Sequence, residues 1–229
     1  MNLLALDTAT ELCSVAITSG GETLYRDAFA PRSHTELILP MVEELLIETK
    51  LRLDQMDALV FDRGPGAFTG VRIATSVVQG LAFGAGLPVI GVSSLAALAQ
   101  GAHRCDGAHH VLSCIDARMG EVYWACYELN GEQVTLQGEE QVSPPAAVAT
   151  VGDADYLGAG SGWASYQSEL LANPHVRVSN CEGERYPHAL DLLQLAIPLY
   201  QQRRFHDPMS VVPQYVRNDV VAKKARPGS

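Results

Sequence analysis

Two stretches of the chain repeat one alternation of apolar and polar positions. In the first, a short apolar run ends in a carboxylate (Leu3-Leu4-Ala5-Leu6-Asp7), a second run covers residues 12–18, a Gly20-Gly21-Glu22 turn follows, and a third run covers residues 23–29. In the second, residues 111–115 lead to Asp116, residues 122–129 follow, and an Asn130-Gly131-Glu132 turn opens residues 133–142. Alternating runs joined by tight Gly-containing turns predict β-hairpins. Each half therefore opens as a three-stranded meander with an Asp at the tip of its first strand. Such self-similarity points to a duplicated unit. Polar residues and a glycine at 104–107 separate the copies into lobes of residues 1–105 and 106–229, with the last helix and tail free to pack back on the first lobe.

After the first meander the period becomes helical. Ser33-His34-Thr35-Glu36 has the spacing of a capping box, and the apolar segment 37–47 behind it predicts a helix that Pro40, lacking an N–H, should kink. A strand over 58–62, the loop Arg63-Gly64-Pro65-Gly66, a helix over 69–84, a strand over 88–92 and a helix from Ser94 complete this half. The second half predicts a short strand over 155–157, a helix over 163–171 and a longer helix over 187–204 with Pro187 in its first turn. Strand and helix alternation after a meander predicts an α/β fold of two lobes, each a mixed sheet carrying helices, with the second lobe reduced.

Composition narrows the function. At 229 residues, 47% hydrophobic and 18% charged, the chain can bury a sizeable core without staples. Sixteen Lys and Arg against 26 Asp and Glu give a net charge of -10, which repels phosphate backbones and anionic lipid. The five cysteines (Cys13, Cys105, Cys114, Cys126, Cys181) contain no C-x-x-C, so a reduced, cytoplasmic setting is expected rather than a disulfide or zinc framework. The N-terminal apolar run is stopped by Asp7 with no basic region ahead of it, so no signal peptide is expected. Residues 73–102 carry no Asp, Glu, Lys or Arg, but Gly80, Gly84, Gly86, Pro88 and Gly91 break them into pieces shorter than the ~20 residues of a membrane span.

The candidate chemistry sits at the strand tips and at two glycine-rich turns. Two lobes with a carboxylate at corresponding tips resemble the actin, sugar kinase and Hsp70 superfamily, in which nucleotide lies between duplicated lobes. There glycines follow each Asp, because a hairpin backbone must approach phosphate without a Cβ in the way. Here Asp7 is followed by Thr8-Ala9-Thr10, and Asp116 by Ala117-Arg118-Met119 before Gly120. Asp7 and Asp116 are thus either vestigial nucleotide-site carboxylates or caps of their own turns. Gly64-Pro65-Gly66-Ala67-Phe68-Thr69-Gly70 stands between a strand and a helix, where backbone N–H groups can hold an anion. It is no P-loop, since Val71-Arg72 replace Lys and Ser or Thr, and a tight connecting turn is the alternative for Gly66. Gly158-Ala159-Gly160-Ser161-Gly162-Trp163 resembles the adenine-side loop of the same superfamily, with packing as the alternative for Gly160. No two of the seven histidines have helical metal-ligand spacing, and no G-x-S-x-G elbow exists. His34, beside the capping box, reads as a helix-start or interface residue.

A longer set of motifs carries a closer resemblance. The string 62–73, DRGPGAFTGVRI, together with Leu6-Asp7-Thr8-Ala9-Thr10, His34-Thr35 with Leu39-Pro40-Met41, the string 115–124, IDARMGEVYW, Gly162-Trp163 and Pro213-Gln214-Tyr215-Val216-Arg217, resembles the TsaB (YeaZ) family over nearly the whole chain. Ala67 stands where that family often has Ser. The resemblance implies a non-catalytic subunit in making N6-threonylcarbamoyladenosine at position 37 of tRNAs that read ANN codons, supporting the catalytic paralogue TsaD alongside the ATPase TsaE. It also implies a homodimer when TsaD is absent, and tRNA contact only through the complex. No cofactor is expected in the isolated chain, with ATP or ADP at the TsaD contact left open. The paralogue's two metal-binding histidines correspond to Ser94 and Leu98, which cannot replace imidazoles at a metal.

A subunit without chemistry must work through a surface. Segment 37–47 has too many apolar positions for one sheet-facing stripe, and the helix over 69–84 has Gly80 and Gly84 four apart. The resemblance implies that these helices pair with TsaD or with a second copy, which makes Leu37, Met41, Leu45, Ala74, Val77, Val78 and Leu81 candidate contacts. Neighbouring Val77 and Val78 lie about 100° apart on a helix, and sequence does not choose which faces the partner. The basic tail (Arg217, Lys223, Lys224, Arg226) is a solvated end or a patch for tRNA or an acidic partner. Two rival activities are a kinase or acyltransferase using Asp7 or Asp116 as base, and a metallopeptidase-like hydrolase. The filled glycine positions oppose the first, and the missing histidine pair opposes the second.

Overall fold

The structure is a computed structural model and describes residues 1–213. The basic tail positions and the 214–217 part of the last motif lie outside the described residues. The first half runs β1 (Leu3–Asp7), β2 (Leu12–Ser19), β3 (Glu22–Phe29), α1 (His34–Thr49), β4 (Ala58–Asp62), α2 (Phe68–Ala85), β5 (Val89–Val92) and α3 (Ser94–Asp106). The second runs β6 (His110–Arg118), β7 (Glu121–Asn130), β8 (Gln133–Ser143), β9 (Tyr156–Ala159), α4 (Ser161–Ala172), β10 (Val178–Glu182) and α5 (Ala189–Gln201). The two five-stranded sheets have the matching orders β3-β2-β1-β4-β5 and β8-β7-β6-β9-β10. In each, an antiparallel meander is followed by strands parallel to its first member. This is the duplicated α/β fold that the repeat predicts. The reduction of the second lobe falls on the counterpart of α1, replaced by a 3-10 turn, Pro145–Ala147. Among the described residues no helix is long and apolar enough to cross a membrane.

Three local expectations are corrected. Ser33 makes no side-chain cap, because its backbone at φ -110°, ψ 13° lacks the extended conformation that aims an N-cap hydroxyl at the first turn. Pro187 precedes α5 rather than entering its first turn; His188 is the N-cap, its Nδ1 accepting the Leu190 N–H at 3.1 Å. Burial lowers the pKa of His188, consistent with a neutral ring that accepts a bond. β10 was not foreseen, since Val-Ser-Asn-Cys-Glu is a largely exposed edge strand without an apolar run.

Packing follows the two-residue period of the strands. Leu4, Leu6, Val15, Ile17, Leu59 and Phe61 face α1 and α2, which contribute Ile38, Met41, Val42, Leu45, Val78 and Ala82. The opposite face is built from Leu3, Ala5, Ala16, Ala58, Val60 and Ile90, and its alanines let α5 approach with Ala189, Leu192, Leu193 and Ala196. α3 behaves reciprocally: Leu95, Leu98, Ala99 and Ala102 cover Val111, Ile115, Ala125 and Tyr127 of the second sheet. The helix following each sheet thus closes the other one. Where α3 and α5 meet, Nε and Nη2 of Arg104 donate along one guanidinium edge to the two oxygens of the fully buried Asp191, at 2.8 and 2.9 Å. Gly101 leaves the room: a Cβ there would lie 2.9 Å from the Asp191 carboxylate.

The loop before α2 docks on the turn after β1. Ala67 donates its N–H to the Ala9 carbonyl at 2.7 Å, and the Thr8 hydroxyl donates to the Gly70 carbonyl at 2.7 Å. A Cβ on Gly70 would stand 2.0 Å from the Thr8 carbonyl oxygen, whereas Gly80 in the same helix has no atom within 4 Å of its missing Cβ. Gly70→Ala should therefore cost at least ~2 kcal/mol by overpacking, while Gly80→Ala should stabilise the isolated chain by up to ~1 kcal/mol; thermal unfolding of both variants checks the opposite signs. Arg104→Ala strands the buried Asp191 charge and should cost about 3 kcal/mol, measured by denaturant unfolding, with Asp191→Asn in the same background recovering part of the loss.

Candidate functional site

Between the lobes lies a cavity of about 750 Å³, floored by the post-β1 turn and the loop before α2, and walled by the β6–β7 turn and the start of α4. Its lining is mainly apolar and aromatic, with Phe29, Phe68, Tyr123 and Tyr186 around it. The Arg72 guanidinium lies 3.2 Å from the centroid of the Phe68 ring. Phe29 and Tyr186 form a tilted ring pair at 5.6 Å. Sequence reading missed these aromatics: Phe68 and Arg72 are one helical turn apart, but nothing in the chain foretells that Phe29 meets Tyr186.

The four candidate nucleotide-site residues are gathered around this cleft and occupied by protein. Asp7 is wholly buried beneath the floor and its Oδ1 accepts the Ala9 N–H at 2.8 Å. Asp116 lines the cavity; one oxygen accepts the Arg118 N–H at 2.8 Å, and the other takes the Arg118 guanidinium at 3.0 Å and the Ser165 hydroxyl at 3.3 Å. Both carboxylates therefore cap their own turns. Arg118 also reaches Glu11 of the first lobe at 3.8 Å, so an arginine spans the mouth where a glycine hairpin would hold phosphate. That hairpin keeps the backbone shape of a glycine turn, with φ of 63° at Arg118, 58° at Met119 and 78° at Gly120. Two non-glycine residues in this region carry a conformational cost of ~1 kcal/mol or more each, and the Arg118 side chain lines the cavity at this approach.

The glycine-rich turns are also consumed by packing. A Cβ on Gly66 would meet the Ala9 carbonyl oxygen at 2.3 Å. Gly160, at φ 108°, would clash with the Cys114 carbonyl and Leu98 at 2.5 Å, and Gly158 lies against the Trp163 ring. At the two positions matching the paralogue's histidines, the Ser94 hydroxyl donates to Asp62, and Leu98 is buried in the core under the second sheet. Among the described residues no group of three His, Cys, Asp or Glu is placed to hold a metal.

The docking-face candidates divide by burial. Met41, Leu45, Ala74 and Val78 are spent inside this chain, with Leu45, Ala74 and Val78 at 0% exposure, so they cannot present themselves to a partner. Leu37, Val77 and Leu81 are partly buried against the same core. The large apolar side chains exposed on this side are Leu39, Ile47 and Phe83, none of them among the candidate contacts, and Gly80 and Gly84 of α2 are open as well. Leu39, Leu46, Ile47, Leu51 and Leu81 line a shallow groove between α1 and α2. His34 is buried at the start of α1, its Nε2 without a partner, and so belongs to the helix start rather than to this face.

The relatives of the chain agree with this architecture. The family model of TsaD, tRNA N6-adenosine threonylcarbamoyltransferase, matches residues 28–168. The chain is 40% identical to the tRNA threonylcarbamoyladenosine biosynthesis protein TsaB of Haemophilus influenzae, over 98% of this chain and 97% of that protein. It is 41% identical to TsaB of Escherichia coli, over 98% of each. The solved structure of YeaZ from Pseudomonas aeruginosa superposes with a TM-score of 0.89 at 47% identity, covering 93% of this chain and 99% of that one. With near-complete mutual coverage, a shared fold and the motifs in place, the chain belongs to the TsaB (YeaZ) family of tRNA threonylcarbamoyladenosine biosynthesis proteins.

Proposed function

We propose that the chain is a non-catalytic subunit in forming N6-threonylcarbamoyladenosine at position 37 of ANN-reading tRNAs, docking through α1 and α2 onto the catalytic paralogue TsaD and working with TsaE in the cytoplasm. The observation that carries this reading is the apolar face left open on α1 and α2, where Leu39, Ile47 and Phe83 are about half or more exposed beside two open glycines. Exposed glycines let a partner helix approach closely, and the large side chains beside them gain burial only from a partner. Without TsaD, a second copy of the chain covers this face. The cleft favours the absence of a chemical step, since both oxygens of Asp116, the Oδ1 of Asp7 and the Ala67 amide are bound to protein groups. Any ATP or ADP then belongs to the TsaD contact. A charge of -10 opposes direct tRNA binding, so tRNA is reached through the complex.

The two adjacent valines separate folding from docking. Val78→Glu and Leu45→Glu place a charge in a closed core and should unfold the chain, a loss of several kcal/mol visible by circular dichroism. Val77→Glu and Phe83→Glu should leave a folded chain whose affinity for TsaD falls at least ~100-fold, equivalent to about 2.7 kcal/mol, with loss of tRNA modification in a reconstituted system. Size-exclusion co-elution reads the outcome; folded Val77→Glu and Phe83→Glu variants that bind TsaD unchanged would place the interface elsewhere. The isolated chain should also show no ATP hydrolysis or threonylcarbamoyl transfer above background. Turnover in a TsaD-free preparation, abolished by Asp116→Asn, would establish the rival catalytic reading.

A further inference from the structure

Asp7 and Asp62 end the neighbouring parallel strands β1 and β4, whose register sets Leu6 beside Phe61. Both are wholly buried. Each Oδ1 is satisfied by its own turn, from the Ala9 N–H and the Gly64 N–H, both at 2.8 Å, and the Ser94 hydroxyl also donates to Asp62. Each Oδ2 is buried and receives no hydrogen bond among the described residues, and the two carboxyl groups lie within hydrogen-bonding reach of one another. Two carboxylates are both acceptors, so this contact needs a proton. We propose that Asp7 and Asp62 form a buried proton-binding site, in which one proton is shared between the two carboxyl groups and ties β1 to β4 beneath the interlobe cleft.

Electrostatics supports that geometry. Burial, then the Asp62 charge, push the Asp7 carboxyl well above the usual carboxylate range. Burial raises Asp62 only to about 6, because Ser94 and the Gly64 N–H favour its ionised form. Among the described residues the neighbouring titratable and charged groups are themselves engaged, and the Arg63 charge favours the ionised form of Asp62. Cys13 on β2 stays a thiol, pushed up to about 12 by burial and by Asp7. Asp191 of α5 is engaged by Arg104 of α3, Arg63 next to Asp62 reaches toward Glu140 at 4.0 Å, and α2 presents the Gly70 backbone to the Asp7 turn. A divalent cation needs about six oxygen ligands, and among the described residues no third acidic or imidazole side chain completes a metal cluster. The proton therefore holds the turn on which the Gly66–Gly70 loop and the start of α2 rest.

The test begins with the intact wild-type chain labelled with carboxyl-13C aspartate, the two signals being identified by their loss in Asp7→Asn and Asp62→Asn. Expected at neutral pH is one buried carboxyl with the shift of the acid form, ionising well above the usual carboxylate range. The sign for stability follows from the raised native pKa: the contribution is full below about pH 4 and is lost as pH rises through the native value. Wild-type melting temperature should therefore fall between about pH 4 and pH 8 relative to Asp7→Asn, whose amide can donate to Asp62 without titrating. Two ionised carboxylates at neutral pH, or parallel stability profiles for wild type and Asp7→Asn, would overturn the proposal. Stabilisation of the wild type by millimolar magnesium or calcium, absent in Asp7→Asn, would overturn it in favour of a cation site. If Asp7→Asn does not fold, infrared detection of a protonated buried aspartate in the wild type at neutral pH decides alone, its absence overturning the proposal.

Discussion

Each sheet is closed by a helix that follows the other sheet in sequence, and the Arg104–Asp191 pair fastens the two helices where they cross. Neither sheet could keep its inner face dry without this exchange, since a parallel sheet must be covered on both sides. The alanines at 5, 16 and 58 are small because α5 lies against them, and Gly101 is bare because Asp191 occupies the space a Cβ would need. Burying a carboxylate is tolerable only when it is paired and its hydrogen bonds are complete, which the two guanidinium bonds at 2.8 and 2.9 Å achieve. With the helices locked, the turn after β1 and the tip of β6 are brought to the floor and wall of one cleft.

That cleft has the shape of a ligand site and the bonding of a finished structure. The amide of Ala67, the glycines at 66 and 70, and both oxygens of Asp116 are committed to neighbouring protein groups, and Arg118 spans the lobes at the mouth. Chemistry on phosphate would require these donors and acceptors to be open when substrate arrives. The same commitments tie the start of α2 to the turn after β1. In the docking proposed for this chain, the outer faces of α1 and α2 would be presented by helices already tied to the first sheet, which lowers the ordering cost of association.

Sequence alone carried the architecture far. The repeat of apolar alternation around Asp7 and Asp116 located both meanders to within a residue or two, because period-two burial and Gly-containing turns are local properties. The motif at 62–73, together with those at 6–10, 115–124 and 162–163, carried the resemblance to the family, because it is a set of particular residues at particular spacings. Sequence was silent on β10, whose stability comes from pairing with β9 rather than from its own apolar content. It misplaced the start of α5, since the capping bond to His188 Nδ1 depends on which ring atom the fold points inward.

What no linear pattern reveals is which of two similar neighbours faces which environment. Val77 and Val78 are chemically identical and adjacent, yet one is partly buried at the edge of the core and the other is closed in it, because the azimuth of α2 is set by the docking of Gly66 and Gly70 on the turn of residues 8 and 9. Asp7 and Asp62 are far apart in the chain and individually ordinary; only the parallel register of β1 and β4 sets one carboxyl against another out of reach of water. Local periodicity determined the elements and their order. The contacts between elements, which depend on where each helix comes to rest, determined the function of the individual side chains.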